Sequence, residues 1–469
     1  MQATSDFLGT EPVGRLTLRL AIPAVTAQLV NMLYNLVDRM YIGHIADIGS
    51  LALTGVGVCA PLILLIAAFA ALVFMGGAPR VSMLMGKGEN EQAERVMGNC
   101  FTLLVGLSIL LTIVISIWDR DLLLLFGASE NTVGYAEEYM RIYTLGTLFV
   151  QLTLGMNAFI TAQGFAKVSM LTVLIGALCN IVLDPLFIFV FDLGVQGAAI
   201  ATVLSQAVSA VWVMLFITSK KCVLRLKLRN LRVQPRLVAP CILLGLSPFV
   251  MQSTESVLSV CFNASLLKYG GDIAVGAMTI LASVMQFAML PLQGLTQGSQ
   301  PIVSYNFGAG NVGRVRKAFR LLLIACVSYS TLLWLVCMLF PQWLAGAFSS
   351  DAALIAYTVP ALRIYMACSL LFGLQIACQQ TFIAIGNAKT SLFLAVLRKL
   401  LLLIPLIYIL PALLEDKTTA VYLAEPVADT LAVITTVTMF SFQFRRALKQ
   451  MEVPKLKELS CSSAPPCFC

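Results

Sequence analysis

Residues 51–78 read LALTGVGVCAPLILLIAAFAALVFMGGA, an unbroken stretch without one charged side chain. A helix needs about 20 such residues to cross the hydrocarbon of a bilayer, and a helix apolar on every face has no place on the surface of a soluble domain. This stretch therefore reads as a membrane span. Working outward from it, similar runs occur at 15–40, 95–118, 138–163, 168–192, 195–219, 238–268, 273–301, 317–340, 355–385, 389–412 and 418–444, which makes twelve in all. The composition agrees. Of 469 residues only 12% are charged, 59% are apolar, and the mean hydropathy is +0.90. That charge fraction is about half of what a soluble chain carries, too little to coat the roughly three domains that a soluble protein of this length would form. A soluble enzyme, a nucleic-acid binder and a disordered scaffold are excluded as classes. The polar N-terminus, MQATSDFLGTEPVGR, has no signal-peptide pattern.

The basic residues orient the spans. With the N-terminus inside the cell, 23 of the 31 Lys and Arg fall on inner segments and six on outer segments or helix mouths, as the positive-inside rule requires of an even number of helices. Both termini are then cytoplasmic, in a multi-pass protein of the cell inner membrane. The net charge of +8 is thus a matter of topology, and no nucleic-acid partner follows from it. Seven basic residues crowd into 220–236, between spans six and seven, where they would meet anionic lipid headgroups. Four segments follow: a six-helix lobe at 1–219, a basic linker at 220–236, a second six-helix lobe at 237–445 and a cytoplasmic tail at 446–469. The cysteine-rich end CSSAPPCFC (461–469) reads as unstructured. Nine of the other cysteines lie in apolar stretches and behave as small hydrophobes.

The two halves repeat. RIY at 141–143 returns at 363–365; Gly164, Ala166, Lys167 and Ser169 return as Gly386, Ala388, Lys389 and Ser391; Pro79, Gly86 and Gly88 return as Pro301, Gly308 and Gly310. All are 222 residues apart, and Pro23 matches Pro248 at 225. Six helices per repeat is an even number, so both halves point the same way about an axis along the membrane normal. The expected fold is all-α: twelve transmembrane helices in two pseudo-symmetric six-helix bundles.

Function is sought among the exceptions to apolarity. An acid at the bilayer centre costs on the order of 2.5–3.5 kcal/mol, and five lie within spans: Asp38, Asp184, Glu255, Glu425 and Asp429. Asn180 precedes Asp184 by one turn, so the two share a helix face. Pro185 removes a backbone donor beside them. With Asn157 and Thr202 they offer the oxygen-rich surroundings that a hard cation favours, and a carboxylate there could take a proton instead. The competing reading pairs Asp38 with Arg39 at the interface and leaves Asn180 and Asp184 as helix glue. In the second half Arg398 stays charged and is expected to form an ion pair with Asp429 or Glu255. His44, the one histidine, reads as a surface residue. GKGEN (86–90) and GAGN (308–311) lack the strand and GK[ST] of a phosphate loop. No catalytic or nucleotide-binding pattern appears, so no enzyme and no cofactor are expected, and no metal beyond Na⁺.

NLVDRMYIG in the first span, the NAFITAQG block, CNIVLDPLFIF in the fifth and QGSQPIVSYNFGAGNVGRV after the eighth together resemble the MATE (multidrug and toxic compound extrusion) transporters, over nearly the whole chain. PVAD at 426–429 is similar to the drug-pump branch of Gram-positive bacteria. The resemblance implies a V-shaped, outward- or inward-opening antiporter that expels cationic, amphipathic organic compounds in exchange for Na⁺ or H⁺, and a monomer is expected. It implies a first-lobe cation site at Asp38, Asn157, Asn180, Asp184 and Thr202, and a helix-seven acid at Glu255. Two other readings remain open: a lipid-linked precursor flippase of the same superfamily, and a substrate-gated channel or receptor. A flippase would call for basic residues in its cavity, whereas only Arg398 and Lys399 lie within spans.

Overall fold

The computed structural model describes residues 7–45, 49–349 and 351–462, and every regular element among them is helical. Numbered as membrane passes, the helices are α1 (Val13–Gly43), α2 (Gly49–Gly86), α3 (Asn90–Ile117), α4 (Val133–Leu145 with Thr147–Ala162), α5 (Ala166–Val190), α6 (Gly194–Thr218), α7 and α8 (within Pro235–Gly308), α9 (Val312–Leu339), α10 (Ala352–Tyr365 with Ser369–Ala384), α11 (Ala388–Leu413) and α12 (Lys417–Ser462). All twelve expected spans are present. Helices α7 and α8 are two helices that part at Gly271, whose non-helical backbone (φ +68°, ψ −164°) is open only to glycine.

The repeat recurs in three dimensions. Helix α4 bends by 56° at Gly146 and α10 by 44° after Tyr365, each just beyond its copy of RIY. Gly88 and Gly310, 222 apart, both take positive φ (+79° and +68°) in the turns after α2 and α8, and Gly164 and Gly386 do the same (+88° and +80°) after α4 and α10. The Gly-rich GKGEN and GAGN are therefore helix-hairpin turns. Helices α2 and α8 cross backbone to backbone: a Cβ on Gly86 would strike the Tyr305 carbonyl, and one on Gly308 the Met83 carbonyl. Met83 and Tyr305 are themselves 222 apart, so this contact is symmetric.

The chain packs into two compact units. One holds residues 19–81 and 90–257; the other holds 5–18, 82–89 and 258–469, as far as they are described. These limits differ from lobes ending at 219 and beginning at 237. Helix α1 starts in the second unit and continues in the first, and α7 does the reverse. The cause is the segment ahead of each. In the second unit, Asn306 Nδ2 and Arg314 donate to the Leu8 carbonyl (2.9 and 3.0 Å), and Arg314 also to the Glu11 carbonyl (2.7 Å). In the first unit, the 220–236 segment is a docked strap. Glu94 pairs with Lys227 (2.5 Å) and accepts the Arg225 amide; Asn99 Nδ2 donates to the Asn230 carbonyl (3.1 Å); Gln163 accepts the Leu224 amide (2.8 Å). Leu8 and Asn230, one held carbonyl from each segment, are again 222 apart. Helix α12 continues to Ser462, beyond the expected start of the tail at 446, because polar helix formers such as Arg445, Lys449, Gln450 and Glu452 carry it on past the apolar run. Residues 463–469 of the cysteine-rich end lie outside the described residues.

Candidate functional site

The five residues expected to form the first-lobe cation site all fall in the first unit, on four helices. Asp38 sits near the end of α1, half-buried, with Arg39 exposed beside it. Asp184 is wholly buried at 0% exposure, at the point in α5 where Pro185 opens the α-helix into a wider π turn over Leu186–Val190. Its Oδ1 accepts a hydrogen bond from Asn180 Nδ2 (3.1 Å) one turn earlier. The carboxyls of Asp38 and Asp184 are within hydrogen-bonding reach of each other. The geometry thus brings α1 and α5 together through two acids and does not leave Asp38 solely to Arg39.

Four buried oxygens here have no hydrogen-bond partner among the described residues: Asp38 Oδ1, Asp184 Oδ2, Asn180 Oδ1 and Asn157 Oδ1. All are acceptors, and a buried acceptor left empty costs about 1–3 kcal/mol. Each would be relieved by a cation or a proton. Asn157 stands at the margin, its Nδ2 donating to the Ser169 carbonyl (3.2 Å). Thr202, buried on α6, lies within hydrogen-bonding reach of Tyr139. Two tyrosines thus enter the group that sequence reasoning did not single out. Tyr139 stacks on Tyr143 (5.9 Å between centroids, 18°), and Tyr34 lies one turn before Asp38, close to both acids. The i, i+4 spacing of Tyr34 and Asp38 was the available signal; Tyr139 had none.

In the second unit, Arg398 Nε donates to Asp429 Oδ1 (2.6 Å), and its terminal nitrogen lies 3.6 Å from Glu425. The expected partner Asp429 is present, with Glu425 one turn earlier on α12 as a second. The Arg398 guanidinium also stands 6.0 Å from the Phe372 ring centre. It projects from a π segment, Leu397–Leu403, that precedes Pro405 as the π turn of α5 follows Pro185. Glu255 belongs to the first unit, exposed on α7. His44 is exposed and its Nδ1 bonds the Met40 carbonyl (2.7 Å). Among the described residues, no group of three or more His, Cys, Asp or Glu side chains could hold a metal ion.

A sequence model of the MatE family matches residues 23–186 and again 248–409, one copy for each half. The chain belongs to the MatE family. It is similar to the multidrug export protein MepA of Staphylococcus saprophyticus, with 24% identity over 84% of this chain and 86% of that one, and to MepA of Staphylococcus aureus, with 24% identity over 86% and 88%. Among solved structures it resembles a MATE protein crystallised in complex with MaD3S, at a TM-score of 0.88 and 23% identity, covering 96% of this chain and all of that one. At that identity the likeness speaks for the fold: twelve helices in two bundles, as this MatE chain has.

Proposed function

We propose that this MatE protein is a secondary active antiporter that exports cationic, amphipathic organic compounds in exchange for Na⁺ or H⁺. The observation that carries the reading is the Asp38–Asp184 pair with its empty oxygen acceptors. Two acids side by side in a membrane repel each other and lack solvation, so the pair invites a cation or a proton. Asp38 and Asp184 hold the coupling ion; Asn180 orients Asp184; Thr202 and Asn157 supply further oxygen ligands. Ion occupancy takes one negative charge off the pair, relieves its repulsion and shifts the packing of α1, and the exported compound leaves outward. Such exchange requires only that the ion favour one state over the other by ~1–3 kcal/mol. The names of the staphylococcal relatives support organic export. Arg398 with Asp429 and Glu425 serves as a structural ion pair of the second half, and Glu255 is the candidate counter-charge for a cationic substrate. The protein works as a monomer with both termini cytoplasmic, its halves 1–219 and 237–445 acting as lobes and its basic strap meeting anionic headgroups.

The test is counterflow in proteoliposomes with fluorescent organic cations such as ethidium, under an imposed Na⁺ or H⁺ gradient. Uphill movement driven by one gradient is expected. Dye that accumulates equally with neither gradient would refute coupling, and dye that only equilibrates would indicate a channel.

A further inference from the structure

The seven basic residues of the strap divide into two groups. Lys227 turns inward to Glu94, and the Arg225 amide bonds the same carboxylate (3.1 Å). Lys220, Lys221, Arg229, Arg232 and Arg236 are exposed, and their side chains form no ion pair or hydrogen bond among the described residues. In their midst Leu228 opens a short 3₁₀ turn at 89% exposure, more than any other large apolar side chain described. A flexible loop would average such an arrangement away, but this strap is held from three sides. The Leu226 amide bonds the Ile217 carbonyl of α6 (3.2 Å), and the Thr102 hydroxyl of α3 donates to the Leu231 carbonyl (2.7 Å). The Gln234 amide donates to Asn99 on the same helix, and on the third side the Leu224 amide donates to Gln163 at the end of α4 (2.8 Å).

Those anchors also set its depth. Ile217 belongs to the last apolar turn of α6, and Thr102 to the second turn of the uncharged stretch 96–117 of α3. The strap therefore lies level with the edge of the hydrocarbon, where a bare leucine is stable in acyl chains and basic side chains reach up to phosphate. An acidic soluble partner would use the same charges but would have no use for Leu228 at that depth.

We propose that the strap is a binding site for anionic phospholipid, with Leu228 seated at the acyl boundary and Arg229 and Arg232 holding the headgroup phosphate. Guanidinium groups suit this role because two of their N–H groups can bond one phosphate together. The site rests on reading the strap as lying at the cytoplasmic leaflet. It is independent of which ion drives transport, so its failure leaves the counterflow result untouched.

The experiment uses the full chain carrying Leu228→Trp in vesicles of phosphatidylcholine with added phosphatidylglycerol, either lipid being brominated in turn. The signal of the four native tryptophans, recorded on the unsubstituted protein, is subtracted. Quenching by brominated phosphatidylglycerol should exceed that by brominated phosphatidylcholine at equal mole fraction. Adding Arg229→Gln and Arg232→Gln should cut this preference at least about fivefold, while Arg445→Gln with Arg446→Gln, exposed on α12, should not. Equal quenching by both lipids, or an equal loss with the α12 pair, would overturn the site. Quenching by neither lipid would also overturn it, and would turn these charges toward a soluble acidic partner.

Discussion

Asp184 shows what a single side chain can do at this depth. It is fully buried, it shares one bond with Asn180, and its other oxygen is empty. Asp184→Asn and Asp38→Asn should each lower gradient-driven dye counterflow about tenfold or more, since either removes the charge on which a coupling of ~1–3 kcal/mol depends; downhill dye exchange should persist. Arg398 obeys a different rule. Asp429→Asn removes the nearer partner of a buried guanidinium and leaves it only Glu425 at 3.6 Å, which should destabilise the protein by up to about 3 kcal/mol, read as a lowered melting temperature in detergent. Glu425→Gln, at 3.6 Å, should cost distinctly less. At the aqueous mouth of α12, Asp416 accepts hydrogen bonds from the Thr419 amide and from the hydroxyls of Thr418 and Thr419, which hold its carboxyl below the usual carboxylate range. Its folded form binds the proton less readily than its unfolded form, so its stabilisation is present above the unfolded value near 3.9 and fades as pH falls through the depressed one. Asp416→Ala should therefore lower the melting temperature at neutral pH, and the difference from the parent protein should shrink in strong acid. Most of these residues were legible beforehand because a charge inside an apolar run is too costly to be incidental. Tyr34 and Tyr139 were not, because an aromatic ring in such a run looks like any packing group until its hydroxyl has a partner.

At the scale of the element, glycine decides how closely helices approach. Gly86→Ala should cost about 1–3 kcal/mol through overpacking, since its new Cβ meets the backbone of α8. Gly57→Ala, on the same helix but with nothing within 4 Å, should instead gain up to about 1 kcal/mol from helix propensity. Opposite shifts in melting temperature for two Gly→Ala changes on α2 would confirm the crossing. The straps are elements of another kind. Asn99→Ala removes the donor to the Asn230 carbonyl and the acceptor of the Gln234 amide, and hydrogen exchange should rise across 222–234 while α9 stays protected. Span positions were readable from hydropathy alone. The docking of the strap was not, because Glu94, Asn99 and Gln163 acquire their strap partners only when residues some 60 to 135 positions away fold back onto them.

For the whole molecule, the repeat at 222 organises what the single residues only hint at. It matches bend with bend, turn with turn and one held carbonyl with the other, while the charged groups have diverged: two acids and an asparagine in the first half, an arginine between two acids in the second. The proposed mechanism then predicts a division of labour. Imposing a Na⁺ or H⁺ gradient should drive uphill dye transport that Asp38→Asn cuts about tenfold or more, whereas a variant of Arg398 with its partners that still folds should keep its ion dependence. Amino-acid order by itself determined the membrane class, the twelve spans, the two-fold repeat and the acids worth testing. Each follows from local quantities: transfer free energy, charge placement and spacing along one helix. Only the tertiary structure decided that Asp38 faces Asp184, that Arg398 reaches both Asp429 and Glu425, and that α1 and α7 each begin in one compact unit and end in the other. Those are contacts between distant segments, set by close helix crossings and by buried polar groups that must find partners wherever the fold brings one near.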